Sequence, residues 1–101
     1  MRQTHALVQV AIALSADVVG QHWGYELSKA SGVRSGVMYP ILDRMLQEGW
    51  LTDGWEDPPP GTRRPRRRYY ELTGKGRCEI GALTQDATLD PRFAGLFRMT
   101  P

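Results

Sequence analysis

A chain of 101 residues, 41% hydrophobic with three tryptophans, has room for one domain and too much apolar material to stay wholly disordered. Its single cysteine, Cys78, excludes an intramolecular disulfide and a cysteine-built zinc site. The net charge of +2 hides an asymmetry: seven of the 13 Lys and Arg residues lie between Arg63 and Arg77 beside one acid, Glu71, while the remainder carries ten acids and six bases.

Leu7, Val8, Val10, Ala11 and Leu14 recur at helical spacing and predict a first helix over about residues 4–16, with Thr4 as its cap. The apolar run over 6–16 contains Gln9, is too short to span a bilayer and follows only Arg2, so neither a membrane segment nor a cleaved leader is expected. A cytoplasmic protein is the simplest reading. The DVVGQHWG segment (17–24) breaks the helical pattern. A second helix then fits Tyr25 to Ser31, with Leu27 and Ala30 on one side and Gly32 as its stop. Ser35 is placed to cap a third helix reaching Gly49, whose apolar stripe reads Val37, Ile41, Leu42, Met45 and Leu46. Pro40 falls in its first turn or just beyond, which limits the penalty for the missing N–H. Two short helices around a tight Gly-containing turn make a helix-turn-helix.

After Gly49 the period changes. Trp50 to Trp55 and Arg67 to Leu72 predict a pair of strands, separated by Pro58, Pro59, Pro60 and Pro65, which stop regular pairing. Tyr70 and Leu72 share the face expected to pack on the helices; Tyr69 and Glu71 share the other. Thr73 can cap a fourth helix over about 74–87 with Ile80, Leu83 and Ala87 inward and Cys78 as a small core or interface side chain. Pro91 ends or bends it, and Phe93, Leu96, Phe97 and Met99 follow at partly helical spacing.

The expected class is therefore α+β, a winged helix-turn-helix with three N-terminal helices, a two-stranded wing and a C-terminal helix. Residues 1–90 form the domain and 91–101 an extension. The physics assigns separate jobs within it. The N-terminal end of the third helix suits a major groove, where Ser35 and Tyr39 supply polar tips. Gly36 permits close backbone approach or merely eases the turn. Val37 touches a thymine methyl if it points outward and joins the core if it does not. In the wing, Arg63, Arg64, Arg66 and Arg67 suit phosphates or a minor groove, with Arg66 and Arg67 preferred at the loop-to-strand junction. Arg68 has the parity of Tyr70 and suits covering the core edge with its aliphatic stem. Tyr25 and Lys29 can position the duplex, or Tyr25 can pack with its hydroxyl at the surface.

The order HWGYELSKASGVRSGVMYPILDRMLQEGWL followed by GTRRPRRRYYELTGKG resembles the PadR family of bacterial transcriptional regulators, in its short subgroup. The resemblance covers about Ala6 to Ala82. It implies a homodimeric repressor on an inverted-repeat operator, often near its own gene, with Tyr39 and the basic wing on double-stranded DNA. It also implies a dimer through the first helix and the helices after the wing, here expected to use Leu7, Val10, Leu14, Ile80, Leu83 and Ala87. Pro91 departs from the long final helix common in that subgroup. Some short relatives bind flat drugs between paired final helices through tryptophans; CEIGALTQDA has no aromatic residue, so no such pocket is expected. No cofactor is implied, any small-molecule effector is unassigned, and the protein is expected in the cytoplasm on the nucleoid.

Other functions fit less well. His5 and His22 have no catalytic companion in the sequence, with Asp17 and Glu26 brought near only by an unforeseen fold, so no enzyme is expected. No phosphate-cradling glycine loop or zinc ligand set is present. The alternative is a winged-helix adaptor that binds the transcription machinery, using an acidic surface of Asp53, Glu56 and Asp57. RNA binding ranks below both, because the chain lacks an interleaved stacking surface.

Overall fold

The structure, a computed structural model, describes residues 1–97; Met99 of the apolar spacing noted above lies outside them. In chain order the elements are α1 (His5–Ser15), β1 (His22–Trp23), α2 (Gly24–Ser31), α3 (Ser35–Gln47), β2 (Leu51–Trp55), β3 (Arg68–Leu72), α4 (Gly74–Thr88) and a 3-10 helix (Pro91–Phe97). The α+β winged helix-turn-helix is as expected, but its sheet has three antiparallel strands in the order β1-β3-β2.

Two threonines start helices as their chemistry predicts. Thr4 Oγ1 accepts the Leu7 amide at 3.1 Å, and Thr73 Oγ1 accepts the Gly76 amide at 2.9 Å. Thr73 also donates its hydroxyl to the Gly49 carbonyl at 2.6 Å, tying the start of α4 to the end of α3. The added strand arises from the segment that broke the helical pattern. Asp17 Oδ1 accepts the Val19 and Gly20 amides at 3.2 and 2.9 Å, which reverses the chain after α1. His22 Nε2 then donates to the Asp17 carbonyl at 2.6 Å. His22 and Trp23 emerge extended and pair with Tyr70 and Tyr69.

The wing is a hairpin in which Leu51 pairs with Leu72 and Trp55 with Arg68. Tyr70 and Leu72 face the helices and are buried, while Arg68 lays its guanidinium 5.1 Å from the Tyr70 ring centre. Burial pushes the Tyr70 phenol above its ordinary pKa.

Helix α1 packs against α2, α3, α4 and the 3-10 helix, which consumes its whole apolar stripe. Leu7, Val10 and Leu14 of α1 and Ile80, Leu83 and Ala87 of α4 are at most 7% exposed. The six residues expected to meet a second chain are thus packed inside their own. Of the two α2 residues placed on one side, Leu27 is buried and Ala30 is exposed, and Cys78 is exposed as well. The segment after Pro91 also contributes to the fold. Phe93 is buried, edge-on to His5 at a ring separation of 5.0 Å, and Asp90 starts its turn by accepting the Arg92 and Phe93 amides. Among the described residues no helix is long and apolar enough to cross a membrane.

Candidate nucleic-acid interface

The turn between α2 and α3 is fixed by short-range chemistry. Gly32 takes the left-handed conformation, φ 74°, that a side chain would oppose. Ser28 Oγ donates to the Val33 carbonyl at 2.7 Å, and Ser31 Oγ accepts the Val33 amide at 3.1 Å. Helix α3 begins one residue earlier than a Ser35 cap requires. Arg34 is the cap residue, extended and without a side-chain cap bond, and Ser35 is the first helical residue. The amides of Ser35 and Gly36 are therefore among the unpaired donors of the first turn, at a helix end that favours anions.

This start sets the register of the whole helix. Met38, Leu42 and Met45 face the core, with Ile41 and Leu46 partly buried. Val37, counted in the inward stripe, instead points outward with 41% of its surface exposed, because one residue rotates a helix by about 100°. It joins Ser35, Gly36 and Tyr39 on the exposed end. Pro40 is the sixth helical residue, and its missing N–H leaves the Gly36 carbonyl without its usual donor on that open face.

In the wing the arginines converge on Glu56 at the end of β2. Arg64 grips its carboxylate with both terminal nitrogens, one of them to Oε2 at 3.2 Å. The Arg67 amide donates to Oε1 at 3.1 Å, and Arg67 Nε lies 3.5 Å from Oε2. Arg66 Nε donates to the Glu56 carbonyl at 3.0 Å. Asp53 holds Arg68 in the same way, at 2.7 Å. Hydrogen bonding from Arg64 lowers the Glu56 pKa from 4.5 to about 2. A depressed carboxylate contributes stability that is complete above about pH 4.5 and lost as the pH falls toward 2, so these ties hold unchanged around neutrality.

Strand β1 brings the wing and the helix-turn-helix together. Arg67 places its guanidinium 5.0 Å from the Trp23 ring centre, and Trp23 meets Tyr69 edge-on at 5.6 Å. A groove of about 240 Å³ follows, lined by Trp23, Gly24, Tyr25, Tyr39, Arg67 and Arg68. Tyr39 reaches across α2 and lays its ring over Gly24, where a β-carbon would sit only 3.0 Å from its Cζ and overlap its hydroxyl. Tyr25 is 71% exposed at the rim, with Lys29 Nζ 5.5 Å from its ring centre.

Of the expected contact residues, the structure gathers Tyr25, Tyr39 and Arg67 around this groove. Ser35, Gly36 and Val37 sit exposed on the first turn of α3, Lys29 stays beside Tyr25, and Arg63, Arg64 and Arg66 stand exposed in the wing. Sequence reasoning missed Trp23 and Gly24, and gave Glu56 only to the acidic surface of the alternative reading, not to the wing. The glycine preceding Tyr25 in GYEL was the available signal for a close contact. For Glu56 none existed, because its partners lie across the wing loop. The acidic surface offered for a protein partner is also reduced, since Asp53 and Glu56 are both engaged by wing arginines.

Comparison with known proteins agrees with this fold. The family model described as the transcriptional regulator PadR-like family matches residues 17–82. Comparison with curated protein sequences gives no significant match. Among solved structures, the chain is similar to a PadR family transcription regulator from hypervirulent Clostridium difficile, at 20% identity and TM-score 0.68, over 93% of this chain and 98% of that one. It is similar to a PadR-like transcriptional regulator from Bacillus cereus at 24% identity and TM-score 0.64, over 92% and 94% of the two chains. Wild-type MarR from E. coli matches at 24% identity and TM-score 0.60, over 82% of this chain and 56% of that one.

Proposed function

The chain belongs to the PadR-like family of transcriptional regulators, DNA-binding proteins and not enzymes, and from that premise we propose that it works as a homodimeric repressor reading an inverted-repeat operator in double-stranded DNA. The observation that carries the reading is the groove where Tyr25, Tyr39 and Arg67 meet between the helix-turn-helix and the wing. Helix α3 enters the major groove by its N-terminal end, with Ser35, Gly36, Val37 and Tyr39 at the base edges and nearby phosphates. Arg63, Arg64, Arg66 and Arg67 carry the salt-sensitive attraction to the backbone or minor groove, and Tyr25 and Lys29 hold a flanking phosphate. Two copies present their α3 helices to successive major grooves about one DNA turn apart, and occupancy excludes polymerase from an overlapping promoter.

The dimer uses surface that the core leaves over. Ile12, Leu96 and Phe97 are only partly buried and Leu89 is 81% exposed, which supports a contact through the outer sides of α1, α4 and the 3-10 helix. The protein is expected to act on the nucleoid in the cytoplasm.

Tyr39 supplies the test. Tyr39→Ala weakens operator binding by about tenfold or more, the scale of a single specific base contact, with the circular dichroism unchanged. Gly24→Ala, which touches no DNA in this arrangement, produces a similar loss by pushing the Tyr39 ring aside. Near-native operator affinity for both variants would remove Tyr39 from the reading surface.

A further inference from the structure

Three successive wing arginines of the returning arm, Arg64, Arg66 and Arg67, are tied to one residue of the outgoing arm. Glu56 receives Arg64 through both carboxylate oxygens, the Arg67 amide and side chain through the same pair, and Arg66 through its backbone carbonyl. The Glu56 amide in turn donates to the Arg67 carbonyl at 2.8 Å, so the tie extends the β2–β3 ladder by one pair. Beyond it the loop carries Pro58, Pro59, Pro60 and Pro65 and has no strand of its own. The carboxylate is the point at which this loop is closed.

A free arginine side chain has many rotamers, and fixing one on binding costs affinity. Glu56 meets part of that cost in advance. It is held at 11% side-chain exposure, while Arg64 and Arg67 remain 42% and 51% exposed. A guanidinium has five N–H donors, and a bidentate carboxylate occupies two. Arg64 is the bidentate partner and also reaches the Pro65 carbonyl at 3.5 Å, while Arg67 approaches Glu56 through Nε at 3.5 Å and is held between it and the face of Trp23. An acidic residue amid DNA-facing arginines repels phosphate by simple charge counting.

We propose that Glu56 is the positioning residue of the wing, fixing Arg64, Arg66 and Arg67 in the arrangement that meets the DNA backbone; the proposal rests on the DNA-binding reading above. The competing role for the same contacts has Glu56 hold the arginines away from DNA as an internal stand-in for phosphate. The two roles predict opposite signs.

Glu56→Asp separates them, because it keeps the charge and withdraws the carboxylate by one methylene. Binding isotherms over a salt series, with the DNA upstream of the native gene and with a scrambled duplex, are compared for wild type, Glu56→Asp and Asp57→Asn. Positioning predicts that Glu56→Asp binds the native DNA about fivefold more weakly, the scale of one or two side chains released. It also predicts a salt slope shallower by about one, since one fewer phosphate is matched. Asp57, which forms no ion pair among the described residues, changes little or binds slightly tighter as Asn.

Unchanged or tighter binding by Glu56→Asp overturns the proposal, the tighter result favouring the phosphate stand-in. A lowered melting temperature with unaltered affinity and slope also overturns it, leaving a purely structural tie. Should Glu56→Asp fail to fold, Glu56→Gln, which keeps shape and loses charge, gives the same decision: weaker binding supports positioning and tighter binding overturns it. Wild-type protein that binds neither duplex at low salt removes the DNA reading itself, a different result from wild type that binds while the variant matches it.

Discussion

Gly76→Ala destabilises the protein by about 3 kcal/mol, at the upper end of overpacking costs, and lowers its melting temperature by roughly 12 °C or more. Gly76 lies in the first turn of α4 where that helix rests on the backbone joining α3 to β2. A β-carbon there would lie 2.7 Å from the Trp50 carbonyl carbon and 2.9 Å from its Cα, and would overlap the carbonyl oxygen. The obstacle is main chain, so no side-chain rotation relieves it. The same carbonyl accepts the Thr73 amide at 3.0 Å, so α4 cannot lift away without losing its anchored start. Gly81, in the same helix, supplies the contrast: it is exposed and nothing lies near its absent β-carbon. Gly81→Ala should stabilise by about 0.5–1 kcal/mol, the ordinary helical preference for alanine. Thermal melts of the two variants beside wild type check both. Equal small shifts would mean that α4 does not pack on the Trp50 backbone.

Arg66→Ala/Arg67→Ala reduces DNA affinity by at least tenfold at low salt and flattens the salt dependence by about two in log–log slope. Each phosphate that is no longer neutralised takes about 0.9 from that slope. Both side chains are exposed in the wing, and Arg67, with Arg68 beside it, links the wing to the groove beneath Tyr39. Neither side chain belongs to the buried core; the surface ion pair of Arg67 with Glu56 is worth at most about 1 kcal/mol and Arg66 makes one exposed hydrogen bond to the Glu56 carbonyl, so the melting temperature moves little. A slope equal to that of wild type would place the phosphate contacts elsewhere. Charge reversal at the same two positions separates a regulator from an adaptor, which would keep its protein contact.

What the sequence displayed, and what it withheld, follows from how far apart the interacting residues lie. Caps at Thr4 and Thr73 and the stop at Gly32 are local chemistry, and each was readable. The parity of Arg68 with Tyr70 placed its stem over the ring, as a strand period of two requires. The third helix was harder. Val37 and Met38 are both apolar neighbours, so only the true start at Arg34, which has no capping side chain, decides which turns inward. Strand β1 is two residues long and shows no period; it exists because Tyr69 and Tyr70 offer a free edge.

The dimer residues illustrate a further limit. A stripe such as Leu7, Val10 and Leu14 reports that it is buried, and says nothing of whether the covering surface belongs to its own chain. Here α2, α3 and α4 cover it. The candidate interface divides along the same line. Its exposed members, Tyr25, Ser35, Tyr39 and the wing arginines, were legible from residue type and position. Gly24, Trp23 and Glu56, which place them, act through contacts between elements.

A salt-varied binding isotherm, with the DNA immediately upstream of the native gene beside a scrambled duplex of equal length, decides whether this fold serves as a DNA-reading regulator. A regulator of that kind prefers the native DNA, binds as two protomers per site and loses affinity steeply as salt rises. Absence of binding to either duplex, even at low salt, would contradict it and favour a protein partner for the same fold.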